Sequence, residues 1–370
     1  MRVMDMTGRT ETSIVQLEAG PAYEFLISLC AFGFSAEQDT LESWPEWFDQ
    51  VRTKASARLM TALQRLGMQA GKIWVNFIGL ATQPPAAREV PALLDRIEAL
   101  SPLELRLYLL GSHVPAYQLT VTRDVLLGAA QGDERAKDRL LADRAYFSGE
   151  ADPFLRPLLS LGVEQTRLVA LEVLHLWYEE IFAPTQDELR AVLQRDAEHK
   201  RALLGSTSDE RVIEVASGVQ YVAKPDIHQV FLIPQLAVRP WVLLCEHDDA
   251  RLFCYPASEE SAADRTAPPP RLLRLHKALA DEKRLRMLKA LTVSSATLQE
   301  LADRFGLPKS TAHHHLAILR AAGLVRMSSE LERRHSVRFE ALPELCDLLN
   351  DYLGAPALPE GRPRHATPSE

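Results

Sequence analysis

Apolar residues recur at steps of three and four along two successive stretches near the carboxyl end of the chain, and this spacing predicts two short helices. The first stretch opens with Thr297 and Glu300, a capping-box pair in which hydroxyl and carboxylate each accept a hydrogen bond from a backbone N–H. It ends at Gly306, where glycine commonly takes the left-handed conformation. The second helix is predicted over 308–322 and ends before Gly323, so a tight turn joins the two.

A β-hairpin is predicted directly after the second helix. Strand-forming residues begin at 325, a polar turn follows, and the alternation of His335, Val337 and Phe339 indicates a returning strand that ends near 340. Two helices followed by such a hairpin form a winged helix-turn-helix, whose second helix enters the major groove of DNA. The outward side of that helix and the hairpin carry donors that suit base edges and phosphates. We therefore predict DNA contacts from Lys309, Ser310, Thr311, His313, His314, Arg320, Arg333 and Arg334.

The strings ALADEKRLRMLKAL (278–291) and LQELADRFGLPKSTAHHHLAILRAAGLV (298–325) resemble the winged-helix domain of the ArsR family of bacterial transcription repressors. The resemblance covers 271–353, about a quarter of the chain. Glu282 replaces the proline that is usual after the capping aspartate, and the hairpin tip lacks its common glycine. The matching positions are Asp281, Arg284, Leu285, Leu288, Leu301, Ala302, Ser310, Thr311, His314, His315, Leu316, Leu319, Ala322, Gly323 and Leu324.

The resemblance implies a homodimer that places the second helix of each copy in successive major grooves. We therefore expect a cytoplasmic repressor that binds a near-palindromic operator with half-sites about 10 bp apart. Leucines at helical spacing on the flanking segments of the domain support the same arrangement, since an apolar stripe that lies at a twofold axis is covered by its own copy. The predicted dimer interface consists of Leu272, Leu275, Leu279, Leu345, Leu348, Leu349 and Tyr352.

Metal sensors of this family carry ligands that this chain lacks. The segment 298–305 has no Cys-x-Cys pair, and 342–353 offers only Cys346, Asp347 and Asp351, too few convergent ligands for an ion. The three histidines at 313–315 point about 100° apart on a helix and cannot converge on one ion. We expect His315 to be a hydrogen-bonded core residue, and we expect neither a metal nor a cofactor.

The charge distribution divides the chain into two parts. The formal net charge is −8, yet residues 271–353 contain 14 Lys and Arg against 10 Asp and Glu, whereas residues 1–270 contain 26 against 38. A basic module that binds phosphate is therefore attached to an acidic body. The four cysteines show no paired spacing, and no apolar stretch approaches the ~18 residues of a membrane span, so we expect a reduced protein that does not contact membranes.

Composition and periodicity predict the remaining organisation. Residues 257–270 (ASEESAADRTAPPP) are predicted to be a linker, and residues 354–370 a disordered tail. The region 1–256 is predicted to be a helical regulatory domain that opens with a strand at 13–18. A small antiparallel sheet is predicted to close it, with strands at 212–215, 220–222, 229–233, 240–246 and 251–255. The fold class is therefore mainly α with minor β, with a carboxy-terminal winged helix-turn-helix.

The sequence gives less support to the alternative functions. An amino-terminal domain of this kind can bind an unidentified small-molecule effector in an apolar pocket, although its tryptophans are more typical of core residues. A Glu172-x-x-His175 pair and an Asp196-x-x-His199 pair resemble half of a di-metal carboxylate site, but a helical metal-dependent enzyme would need further inward glutamates. We therefore expect no enzymatic activity. The other alternative is a winged-helix module that binds proteins without operator specificity.

Overall fold

The structure is a computed structural model that describes residues 14–33, 41, 46–68, 71–149, 151–202, 204, 208–222, 226–239, 241–257, 268, 270–328, 333–339, 341, 348–350 and 352–353. The predicted tail at 354–370 and most of the predicted linker lie outside the described residues. The class predicted from the sequence, mainly α with minor β, is confirmed.

The amino-terminal body comprises residues 14–257, and most of its helices precede its sheet. Its helices are α1 (Pro21–Phe32), α2 (Glu46–Lys54), α3 (Ala57–Leu66), α4 (Lys72–Val75), α5 (Ile78–Thr82), α6 (Val90–Ala99), α7 (Pro102–Leu109), α8 (Pro115–Gln118), α9 (Arg123–Gln131), α10 (Glu134–Ala142), α11 (Ala151–Ser160), α12 (Val163–Leu176), α13 (Gln186–Arg201) and α14 (Asp209–Ser217). Its strands are β1 (Ile14–Leu17), β2 (Val219–Gln220), β3 (Gln229–Gln235), β4 (Leu243–His247) and β5 (Ala250–Pro256).

The core of the body forms around α1, which is buried along its whole length because its sequence is apolar on every side. Phe25 of this helix packs edge-on against Phe182, with ring centroids 5.5 Å apart. Trp177 is fully buried in the same core, and Trp74 is 3% exposed, so both are core residues. Among the described residues, none of the helices has both the length and the apolar character needed to cross a bilayer.

The sheet of the body has the strand order β1-β3-β5-β4 and is mixed, so the prediction of an antiparallel sheet is wrong. Strands β1 and β3, and β3 and β5, pair in parallel, whereas only β4 and β5 form an antiparallel hairpin. Alternation along a strand indicates its buried face but not its neighbour, and here β5 inserts between β3 and β4. One face of the sheet packs on the helical core, and the other contacts α13, α14 and β2.

The strand predicted at 212–215 is also wrong, because these residues belong to α14. The Ser208 side chain caps this helix by accepting a hydrogen bond from the N–H of Arg211, and Gly218 ends it in the left-handed conformation. Serine commonly begins a helix and glycine commonly ends one. These two residues therefore decide the structure here, because the short apolar run at 212–215 fits the spacing of a helix and of a strand equally well.

The winged domain contains α15 (Pro270–Leu279), α16 (Glu282–Val293), β6 (Ala296–Thr297), α17 (Leu298–Phe305), α18 (Lys309–Ala321), β7 (Val325–Ser328) and β8 (Arg334–Val337). The Thr297–Glu300 capping box and the left-handed Gly306 (φ 60°) are both present, as predicted. Strands β7 and β8 form the predicted hairpin, and β6, which was not predicted, pairs with β8. Strand β2 of the body extends this sheet by pairing in parallel with β7. The body therefore supplies an edge strand to the winged domain.

Candidate nucleic-acid interface

The amino-terminal end of α18 is exposed. Pro308 precedes the helix, and the side chains of Lys309 and Ser310 point into solvent, while Thr311 is half-buried. Backbone N–H groups in a first helical turn have no partners within the helix, so an exposed helix start favours contacts with phosphate oxygens. The predicted contacts from Lys309 and Ser310 are thus accessible in this arrangement.

His313, one turn further along α18, is half-buried against the body. Its ring lies 4.2 Å from that of Trp241, measured between centroids, in an edge-on arrangement. Burial, together with the positive charges of Arg320 and Arg333, lowers the pKa of this imidazole to about 4. His313 is therefore neutral at pH 7 and is partly covered on the side that was predicted to face DNA.

Arg320 does not lie on an open surface, so its predicted contact with DNA is corrected. The residue is 7% exposed, and its Nη1 atom lies 3.7 Å from the sulfur of Met327. A Cβ atom at Gly218 would lie 2.7 Å from Cγ of Arg320, so the body covers this side chain directly. Burial lowers the pKa of the guanidinium to about 10. Helical spacing placed Arg320 on the outward side, but β2 covers that side.

The other two histidines differ in environment. His314 is half-buried, with its ring centroid 6.0 Å from that of His315. His315 is 8% exposed, as expected for a core residue. Its Nδ1 atom has no hydrogen-bond partner within the described part of the chain, so the predicted hydrogen bond is not found at that nitrogen.

The two wing arginines also differ. Arg333 is exposed at the beginning of the returning strand. Arg334 instead donates to the carboxylate of Glu300 at 3.1 Å and to the backbone carbonyl of Ser295 at 2.7 Å. Glu300 is the capping-box residue of α17, so Arg334 fixes the returning strand to the start of that helix. Arg334 is therefore part of the wing's framework rather than a free phosphate donor.

A buried carboxylate joins the wing to the body. Glu214 of α14 is 8% exposed, and it accepts from Arg211 of the same helix at 3.1 Å. Two wing arginines also face it: Nη1 of Arg326 at 3.3 Å and Nε of Arg338 at 3.8 Å. The N–H of Met327 donates to the carbonyl of Gly218 at 3.2 Å, which continues the contact through the backbone. We call the contacts of Glu214, Gly218, β2 and Trp241 with the winged domain the docking contact.

The predicted dimer residues are only partly available at the surface. Leu272 and Leu275 are 4% and 1% exposed in the single chain, so these two side chains are already covered and the prediction is corrected for them. Leu279, Leu348 and Leu349 are half-buried, and Tyr352 is exposed. Leu345 lies outside the described residues.

The residues of the alternative di-metal site have other partners. Glu172 is hydrogen-bonded to Arg58, His175 to Glu98 at 2.6 Å, and Asp196 to Lys200 at 2.6 Å. These contacts link separate helices or stabilise one helix, and they do not bring the two motifs to one point. Sequence analysis missed the body side of the docking contact, because nothing in the pattern around Glu214 or Trp241 indicates a partner 70 or more residues away.

Comparison with known proteins identifies one segment. Residues 279–328 match a family model described as a helix-turn-helix domain, and this segment spans α16, α17, α18 and β7. No curated protein and no solved structure matches the chain. The match supports a DNA-binding regulator at this coarse level.

Proposed function

We propose that the protein is a sequence-specific transcription regulator of the ArsR type that binds operator DNA through α18 and the wing. The observation that supports this most directly is the helix-turn-helix match over 279–328, combined with the exposed Lys309 and Ser310 at the start of α18. In helix-turn-helix proteins the amino-terminal residues of the second helix contact base edges and phosphates. In this proposal the protein is a cytoplasmic homodimer that acts as a repressor and has no enzymatic activity.

The body regulates access to the operator. In the docked arrangement Trp241 covers His313, and the segment around Gly218 covers Arg320, so part of the DNA-facing side of α18 is used within the chain. Docking and operator binding then compete for the same surface. A small molecule or protein that binds the body more tightly in the undocked arrangement raises operator affinity, whereas one that favours docking lowers it.

Dimerisation uses the apolar side chains that remain partly accessible. Leu279, Leu348, Leu349 and Tyr352 are on the first and last helical segments of the winged domain, where a second copy can cover them. A twofold pair presents two copies of α18 to successive major grooves, about 10 bp apart, which explains why a near-palindromic operator is expected.

The proposal is tested by selecting genomic fragments on the full chain and titrating the enriched sequence against unrelated DNA. Lys309→Ala should weaken binding to all sequences and reduce the slope of affinity against salt by about one ion. Lys289→Ala is the matched control, because Lys289 is an exposed lysine of α16 outside the two helices of the motif. The proposal is contradicted if no sequence is enriched either by the unmodified chain or by Trp241→Ala, in which docking is weakened.

A second candidate is a winged helix that binds proteins instead of an operator. The observation that favours it is the burial of Arg320 and the coverage of His313, which remove two predicted donors from the DNA-facing side. If the selection with Trp241→Ala enriches no fragment over random DNA, this second function replaces the first.

A further inference from the structure

Two histidines and an aspartate from distant parts of the chain meet on the body. His113 follows α7, while His247 and Asp248 are at the end of β4, where the hairpin turns toward β5. Nδ1 of His113 lies 3.0 Å from Oδ1 of Asp248, and Nε2 of His247 lies 3.7 Å from Oδ2 of the same carboxylate. One ligand atom from each of the three residues lies within 4.8 Å of the other two, and within the described part of the chain no other such group is found.

The backbone holds these three side chains together. The N–H of Asp248 donates to the carbonyl of His113 at 2.8 Å, so the two segments cannot separate without loss of this bond. The ring of His113 stacks against that of Tyr108, at 4.2 Å, and against that of His247, at 5.0 Å, and the last two rings are themselves 5.9 Å apart. Gly79 of α5 leaves the space that His247 fills, because a Cβ atom there would lie 1.9 Å from Cγ of the imidazole.

Asp248 takes a conformation that another residue type would adopt more easily. Its φ is +51°, and it is the first residue of the two-residue turn between His247 and Ala250, a position that glycine usually occupies in a tight hairpin. A side chain at such a position costs about 1 kcal/mol or more relative to glycine. Aspartate is one of the few residue types besides glycine that tolerate this conformation, and in this turn its carboxylate lies beside both imidazoles.

The geometry points to a metal site: we propose that His113, His247 and Asp248 bind one divalent transition-metal ion, of which Zn²⁺ is the representative. Two imidazole nitrogens and one carboxylate oxygen are a common three-ligand set for Zn²⁺, with a water as fourth ligand. Metal–ligand bonds of about 2.1 Å in tetrahedral geometry place ligand atoms about 3.4 Å apart. The two imidazoles approach different oxygens of Asp248, at 3.0 Å and 3.7 Å, and one ligand atom from each residue lies within 4.8 Å of the other two, so side-chain rotations are needed to bring the three atoms to this spacing.

The surroundings favour an ion at this point. Nδ1 of His247 is buried against Gly79 with no hydrogen-bond partner among the described residues, which leaves Nε2 as the nitrogen that faces the cluster. The side-chain amide nitrogen of Gln83 lies 3.3 Å from that Nε2 atom, so an ion that binds there displaces this amide from the imidazole. The side chains of His113 and Asp248 are 34% and 56% exposed, which gives an ion a path from solvent.

The site is independent of the proposed DNA-binding function, and its test uses no DNA. The untagged full chain is stripped with a chelator and titrated with Zn²⁺ by calorimetry, and then with Co²⁺ by visible absorption. We expect one ion per chain and Co²⁺ bands of a low-coordinate nitrogen and oxygen site. Asp248→Gly should reduce Zn²⁺ affinity at least tenfold while the melting temperature stays the same or rises, because glycine suits the positive φ.

Two further variants distinguish this site from binding elsewhere. His113→Gln should also lose the ion, since glutamine keeps a polar side chain but removes the imidazole nitrogen. His228→Gln is the matched control: its imidazole lies 3.4 Å from Asp249, the other aspartate of the same turn, but is not part of the cluster. The proposal is overturned if the chain binds less than one equivalent, or if Asp248→Gly and His113→Gln bind Zn²⁺ as the unmodified chain does. In either case the three side chains only hold the hairpin to α7.

Discussion

The imidazole of His313 packs edge-on against the indole of Trp241, with 4.2 Å between ring centroids. His313 belongs to the helix that is predicted to enter the major groove, and Trp241 belongs to the amino-terminal body. Because an imidazole that contacts an indole cannot contact a base at the same time, the docked arrangement and operator binding exclude each other at this residue. The contact therefore connects the state of the body to the surface that is proposed to recognise DNA.

Replacement of Trp241 by alanine should release His313. An edge-on aromatic pair contributes about 0.5–1.5 kcal/mol, so the undocked population and the operator affinity should rise about 2- to 10-fold. The pKa of His313, which burial lowers to about 4, should move back toward 6.5. An NMR titration of the imidazole C–H signals measures this shift directly.

The direction of the pH effect follows from the same values. The neutral imidazole is favoured in the docked arrangement, so docking is fully retained above pH 6.5 and weakens as the pH falls toward 4, by up to about tenfold per pH unit.

The control for Trp241→Ala is Trp47→Ala, which changes a half-buried tryptophan in the core of the body. An unchanged His313 titration in Trp241→Ala would show that the contact does not determine the environment of this residue.

The Glu214→Gln substitution tests the ionic part of the docking contact. The carboxylate is buried and faces Arg326 and Arg338, so Glu214→Gln removes the negative charge that attracts both wing guanidinium groups to α14. A hydrogen bond to a charged group contributes about 1.5–3 kcal/mol, and docking should weaken by about this amount. The amide of Met327, which donates to Gly218, should then exchange its hydrogen faster in the full chain.

Glu210→Gln provides the comparison for this variant. Glu210 is an exposed residue in the first turn of the same helix, so its replacement removes one negative charge from α14 without touching the wing. Equal exchange rates at Met327 in the two variants would mean that Glu214 contributes only through overall charge.

The winged domain could be predicted from the sequence because its determinants are local. The capping box at Thr297 and Glu300 and the left-handed Gly306 are short-range features. Helix α18 has 13 residues, which is long enough for its apolar residues to show the helical spacing. The body was harder to predict, because the partner of a strand is decided by tertiary packing. Alternation correctly indicated β3 and β5 but not their parallel pairing, which depends on where β4 returns along the chain.

Burial between distant segments was the other source of error. Arg320 was placed on the DNA-facing side by its helical position, and no sequence pattern indicates that Gly218, about a hundred residues earlier, covers it. The same holds for His113, which approaches His247 and Asp248 only after the whole body has folded. Residue types in a motif are visible in one sequence, whereas clusters assembled from separate turns are not.

The Gly218→Ala substitution should destabilise the docking contact by two separable effects. The residue has φ of +68°, a conformation in which a side chain destabilises the folded chain by about 1 kcal/mol. The new Cβ atom would also lie 2.7 Å from Cγ of the buried Arg320. Gly132→Ala carries only the first effect, because Gly132 has φ of +102° and no atom within 4 Å of its added Cβ. Chemical denaturation of both variants should therefore show a larger loss for Gly218→Ala. Equal losses would mean that Arg320 moves aside at no cost.

A buried carboxyl group makes the stability of the body depend on pH near neutrality. Glu24 of α1 is 2% exposed, and its carboxylate oxygens accept hydrogen bonds from the N–H groups of Leu236 at 3.0 Å and Ala237 at 2.7 Å. Burial raises the pKa of Glu24 to about 7, although the two backbone N–H groups and Arg239 oppose the rise. The segment that it holds leads directly to Trp241, so this carboxyl group supports the residue that covers His313.

Because the folded pKa of Glu24 lies above its unfolded value of about 4.5, its contribution to stability is complete below pH 4.5 and is lost as the pH rises through 7. The free energy of unfolding of the unmodified chain, relative to Glu24→Gln, should fall by about 1.4 kcal/mol per pH unit across this window, since glutamine does not titrate. Denaturant titrations at several pH values measure the difference, with Glu188→Gln as the matched exposed control on α13. A difference that stays constant from pH 4.5 to 7 would show that Glu24 remains ionised when buried, held by the two N–H groups, and that the segment before Trp241 is insensitive to pH.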